Sequence, residues 1–209
     1  MTPEEARQEW EKAQSFSDLC ELGAKFITRQ LPFFPGYGGE FPDPETAEIS
    51  EYLARLNRKG FFTENSQPGE LEEFYAQRAC VQGFALEELA LDFAKKTLYS
   101  DIHIQVFSPE DILPNGMYGY QIPVTVQEGQ PFSWTGSCDK NVFYQFEIFS
   151  PVTANIIKQN SSVWYVVAID LVWGRKERLW DILLSESLEG YSVKPHPNTE
   201  MNEDVIFHY

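Results

Sequence analysis

The chain has 209 residues, 43% of them hydrophobic and 15% aromatic, enough apolar material for a sizeable core in a single domain. With 32 Asp/Glu against 16 Lys/Arg, it carries a formal net charge of −16, spread evenly along its length. A field of that sign repels phosphate backbones and anionic lipid, which argues against direct nucleic-acid and membrane binding; it suits plain solubility or a basic protein partner.

The N-terminal stretch MTPEEARQEWEKAQSF has neither a basic n-region nor an apolar h-region, and no later run approaches the length of about 20 apolar residues that spans a bilayer. Three cysteines, Cys20, Cys80 and Cys138, at wide and unpatterned spacing argue against a disulfide framework and suit a reducing compartment, so the cytoplasm is expected.

In chain order, residues 1–30 read as one or two amphipathic helices. Pro3, Glu4 and Glu5 suit a first turn, Leu19, Leu22, Phe26 and Ile27 recur at helical spacing, and Ser17 is the expected cap of the second helix. The proline-, glycine- and aromatic-rich loop PFFPGYGGEFPDP is too apolar for a solvated linker and is expected to lie against the body, although its aromatics also suit an exposed contact surface. PDPETAEISEYLARLNRKG predicts a helix capped by Asp43, with Pro44 at its first position and Gly60 as its stop.

FFTEN reads as a short strand, SQPGE as a turn and AQRACVQGFA as a second strand or the end of a helix; the first of these would make the pair a hairpin. LEELALDFAKKTLYS follows as a helix and DIHIQVFS as a strand. PNGMYGY reads as a turn, and YQIPVTVQ as a strand that Pro123 moves to a sheet edge. The period of KNVFYQFEIFSPVTANIIKQ leaves strand and helix both open. SSVWYVVAIDLVWG is a near-continuous apolar run expected as a central strand covered on both faces, with RKERLWDILLSESL a helix returning over it. The closing VIFHY either docks or adds an edge strand. The order predicts one α+β or mixed α/β domain over residues 1–209, with a mixed sheet flanked by helices. A motif-bearing core spans 35–108, and the remaining strands and C-terminal helix span 109–209.

Few residues invite chemistry. His103, His196 and His208 are scattered and belong to no metal-binding pattern, so no metal is implied. Nucleophile elbows and phosphate-cradling glycine loops do not occur, and no cofactor is implied either. Cys80 reads as a small core residue, whereas Cys138, in TGSCDK, reads as more exposed and reactive. Asp170 interrupts the apolar run and must either be paired, with Arg175 the nearest partner, or line a pocket at the strand's end. Thr63, Ser66 and Gln67 hydrogen-bond their own turn or face a ligand. Arg78, in an apolar strand, needs acceptors, for which Gln67, Gln77 and the turn carbonyls are the nearest.

The pair LNRKGFFTENSQPG and QRACVQGF resembles the shared core of an uncharacterised domain family of actinobacteria and some viruses, in which a GFxTxxSQPG segment precedes QRAxVxGF. The resemblance runs from Pro35 to Phe84 and, more loosely, takes in VVAIDLVWGRKERLW; it marks Thr63, Ser66, Gln67, Pro68, Gly69, Gln77, Arg78 and Gly83, but implies no reaction.

Two readings follow. One is an interaction protein of the inhibitor or immunity type that masks a basic surface on a partner. The other is an enzyme or small-ligand binder with a pocket between the SQPG turn, Arg78 and Asp170, acting on a polar or nucleotide-like metabolite. A homodimer is compatible with both, given Trp164, Trp173 and Trp180, whose rings also suit a core.

Overall fold

The computed structural model describes residues 1–36, 38–39, 41–112 and 119–186. Helices α1 (Pro3–Glu11) and α2 (Phe16–Ile27) both open with capping boxes, in which the hydroxyls of Thr2 and Ser15 accept the N–H three residues on while Glu5 and Asp18 return the bond. Ser15, not Ser17, therefore caps the second helix, because its reciprocal partner is a carboxylate. The helix expected from Asp43 begins instead as a 3₁₀ segment, Pro44–Ile49, and becomes α3 only at Ser50–Lys59; Asp43 makes no side-chain cap bond. There the Ser50 hydroxyl takes the Ala47 carbonyl at 3.0 Å, a local bond that competes with a regular helical turn. Gly60 ends α3 in the left-handed conformation, as its position requires.

Strands β1 (Phe61–Leu71) and β2 (Tyr75–Leu86) form the hairpin, followed by α4 (Glu87–Thr97), β3 (Ile102–Phe107) and the single turn α5 (Pro109–Ile112). Next come β4 (Ile122–Gln127), β5 (Gln130–Thr135), a 3₁₀ turn at Lys140–Phe143, α6 (Tyr144–Phe149), α7 (Pro151–Gln159), β6 (Val163–Asp170) and α8 (Arg178–Leu184). The run over 140–159 is thus helical, and β5 is a strand its sequence did not announce. The tail VIFHY, His196, His208 and most of PNGMYGY lie outside the described residues.

Every strand pairing among the described residues is antiparallel, so the domain is α+β on an antiparallel sheet rather than the mixed one expected. Strand β2 is its spine. Along one edge it pairs with β1; along the other it pairs first with β4, at Tyr75–Gln77, and then with β6, from Cys80 to Leu86. The sheet forks at Arg78 and Ala79, with β5 outside β4 and β3 outside β6. The SQPG segment is not the turn of the hairpin. Strand β1 runs through it, with Pro68 opposite Ala79, and the chain reverses at Glu72–Phe74. Proline is tolerated there because, among the described residues, β1 has no second strand that would need its missing N–H. Nor is β4 an edge strand, since it lies between β2 and β5.

The alternation of β2 and β6 sends side chains into two cores. Phe62, Cys80, Phe84, Tyr165, Val167 and Ile169 pack under α1, α2, α6 and α7, whereas Phe61, Val81, Ala85, Val166 and Ala168 pack under α3, α4 and α8. Strand β6 is covered on both faces, as its continuous apolar run predicts. Phe33 and Phe34 are core residues, not contact aromatics: Phe34 stacks on Phe26, and the Phe33 carbonyl accepts the Trp10 indole N–H at 3.0 Å. Among the described residues no helix is long and apolar enough to cross a membrane.

Candidate functional site

Of the residues marked by the sequence, Gln77, Arg78, Asp170 and Arg175 hold one loop. Residues 171–177, between β6 and α8, cross the distal half of the hairpin and are tied down along their length. Trp173 lies under the Arg78 guanidinium, 4.0 Å from its ring centroid, and the Gly174 N–H donates to the Gln77 carbonyl at 2.9 Å. Arg175 forms a bidentate pair with Asp170 at 2.6 and 2.7 Å and reaches Asp101 at 2.6 Å. Lys176 reaches Glu48 at 2.7 Å. Asp170 is fully buried and also accepts the Val172 N–H at 2.9 Å, so it is the paired carboxylate of the two alternatives.

Arg78 sits in the fork. Its Nη1 donates to the Pro123 carbonyl at 2.9 Å, on the part of β4 that has left β2 behind, so the guanidinium closes the gap where backbone pairing stops. Its Nε has no partner among the described residues, and burial lowers its pKa, partly offset by Asp170. None of Gln67, Gln77 or the hairpin carbonyls accepts from it among the bonds of the described residues; the acceptor comes from a distant strand.

The other marked residues have structural partners. Thr63 accepts from Asn57 Nδ2 at 2.7 Å and returns its N–H to Asn57 Oδ1 at 3.3 Å, fastening β1 to α3. Gln67 shares hydrogen bonds with Thr125, itself bonded to Ser133 at 2.8 Å, and accepts from the Cys80 thiol. Gln77 accepts the Gly69 N–H at 3.3 Å and donates to Glu45 and Tyr75 at 3.2 and 3.0 Å. Gly69 needs its positive φ of 84°, and a β-carbon there would also stand 2.8 Å from the Arg175 carbonyl. At Gly83 a β-carbon would stand 2.2 Å from the Phe62 carbonyl. Ser66 lines a cleft with Thr46 and Asn65.

Sequence reasoning overlooked Glu64. It is the extra residue of a β-bulge, since Thr63 pairs with Gly83 and Asn65 with Gln82. Its carboxyl accepts the Tyr165 hydroxyl at 2.8 Å and the Gln145 side-chain amide, and burial pushes its pKa up to about 7 against the pull of those two donors. The one signal in the sequence was a charged residue within an apolar strand; Tyr165 and Gln145 gave none. Cys138 is buried rather than exposed, and burial with the nearby Glu64 charge pushes its thiol up to about 12; burial does the same to Cys20 and Cys80. His103 is half-buried, with no partner for Nε2 among the described residues, and burial lowers its pKa.

The cleft beside Glu64 measures about 50 Å³, and its neighbour by Arg29 and Ser50 about 120 Å³. Both are below the roughly 300 Å³ at which small-molecule sites begin. What the clasped loop does offer is surface. Leu171 and Val172 are exposed, Gly174 packs on the side chain of exposed Leu71, and beyond Arg78 and Pro123 lies Trp134, opposite Pro123 on β5.

The model of the family described as Domain of unknown function (DUF6919) matches residues 5–189. The chain belongs to that family. The match takes in every described strand, the clasped loop and α8. No curated protein matches the chain.

Proposed function

We propose that the chain is a protein-interaction module that covers a basic surface of a partner, in the manner of an inhibitor or immunity factor. The observation that carries this reading is the exposed apolar ground at the forked end of the sheet. Leu71 and Phe74 are each 67% exposed, Phe132 is 66% and Trp134 52% exposed, and the carboxylates of Glu72, Glu73 and Glu128 stand beside them. Apolar centres with a charged rim are the usual composition of a recognition surface, and the rim's sign selects a cationic partner. The test is affinity capture at low salt with the intact chain and with a Phe132→Ser/Trp134→Ser variant as baits. Basic proteins retained by the first and lost by the second support the reading; identical recoveries overturn it.

A second reading, an enzyme or small-ligand binder, draws on Glu64, a carboxyl that titrates near neutral pH at the wall of a cleft. The placement of Arg78 and Asp170 favours it less, because the partners of both are structural.

A further inference from the structure

Three strands, β1, β3 and β5, pair on one side only among the described residues, and β3 and β5 are finished differently. Strand β3 presents no exposed side chain along its length, whereas four of the six residues of β5 are exposed, with two large aromatics among them. Strand β5 pairs only with β4, so among the described residues its outer backbone edge has no strand beside it. Natural edges of this kind are usually protected by lysine, by proline or by a bulge. Here Pro131 and a bulge at Phe132 protect the first half; over Ser133–Thr135 the second irregularity, at Val124, lies on β4, so β5 itself carries no proline, lysine or extra residue there and includes the exposed Trp134. A row of unpaired amides next to aromatic side chains is the surface that strand addition uses, the backbone supplying affinity and alternate side chains specificity.

The charges around β5 select the occupant. Its turn to β4 places Glu128 in the left-handed region, φ 51°, followed by Gly129 at 76°. The Glu128 N–H donates to the Phe74 carbonyl at 2.8 Å, which brings that turn against the hairpin tip bearing Glu72 and Glu73. The same end of the molecule carries Glu45 and Glu70, whose charges, after burial, raise the Tyr75 pKa. A second copy of the chain would bring another −16 to this edge, and residues 187–209 hold four acidic residues (Glu189, Glu200, Glu203, Asp204) against Lys194. Neither complements it.

Deepening the interaction reading on which it rests, we infer that β5 is completed by an extended, lysine- or arginine-rich segment of another protein, which adds to its outer edge as a further strand and sets apolar side chains against Phe132 and Trp134.

The test uses the full chain and three capped synthetic peptides as probes: lysine alternating with valine, glutamate alternating with valine, and the lysine–valine composition rearranged into blocks. Amide hydrogen exchange over 130–135 is followed with each. The alternating lysine peptide, at about ten times its Kd, is expected to slow exchange there roughly tenfold, and the other two to leave it unchanged. Trp134→Lys, at an exposed position, is expected to abolish the protection without changing Tm. Binding of the block peptide with equal protection, or binding that leaves 130–135 unprotected, would overturn strand addition while leaving a charge-driven interaction module intact. Absence of any peptide binding also overturns it, and the capture experiment then decides the broader reading. Protection of 130–135 with no peptide present assigns the edge to another occupant: to a second copy if it grows with protein concentration, to the chain itself if it does not.

Discussion

Replacing Glu64 by glutamine should make the protein more stable above neutral pH and leave it unchanged in mild acid. The carboxyl of Glu64 holds its proton to about pH 7 in the fold, against a reference value of 4.5. Between those values the folded state binds more protons than the unfolded one, so stability falls as pH rises through the window and has lost its full increment above it. The difference of 2.5 between the two values corresponds to about 3.4 kcal/mol, and because Glu64 is half-buried, solvent screening reduces this to about 2–3 kcal/mol. Glutamine keeps an oxygen for the Tyr165 hydroxyl and, with the Gln145 amide turned over, a donor–acceptor pair with that residue. Urea titrations of both proteins at about pH 4 and about pH 8 read the effect: near-equal stability in acid, and the variant ahead by about 2–3 kcal/mol on the alkaline side, or roughly 5–10 °C in Tm. Parallel pH dependences would refute the reasoning, because they would mean that the proton is not held at Glu64.

Removing Arg175 as Arg175→Met strands the buried Asp170 carboxylate with the Val172 N–H as its donor, which should cost about 3–5 kcal/mol by denaturant melting. Gly83→Ala drives a β-carbon to 2.2 Å from the Phe62 backbone, which must break the β1–β2 register; circular dichroism should show loss of the cooperative transition. Asn57→Ala removes the bonds that hold Thr63, and a drop of about 1–3 kcal/mol in urea stability is expected. Cys20, Cys80 and Cys138, buried with thiols pushed up to about 12, should all resist a thiol reagent at pH 8 in the native protein and react together on unfolding.

Elements whose signal is local were legible in the sequence. The Gly60 stop, α4, β3, the two-sided β6 and α8 each follow from a period, a cap or a continuous apolar run carried by adjacent residues. So was the need of Asp170 for Arg175, which lies five residues on. The SQPG segment misled because Pro-Gly carries a turn signature, whereas pairing with β2 along an otherwise free edge holds it straight. Strand β5 escaped notice because six residues with a proline give too short a period to read. Arg78 announced that it needed an acceptor. Only the fork of the sheet, where β4 parts from β6 and Trp173 swings under the guanidinium, could say which, because both partners are distant in sequence. Glu64 shows the same limit more sharply. A glutamate in a strand is charged and solvated by default, and what makes it a titrating group near neutrality is the bulge that turns it under Tyr165 and Gln145. Composition and period determined that this chain folds as helices packed on a sheet; burial and pairing between residues far apart decided which polar side chains became clasps, which one kept a proton, and which edge was left open.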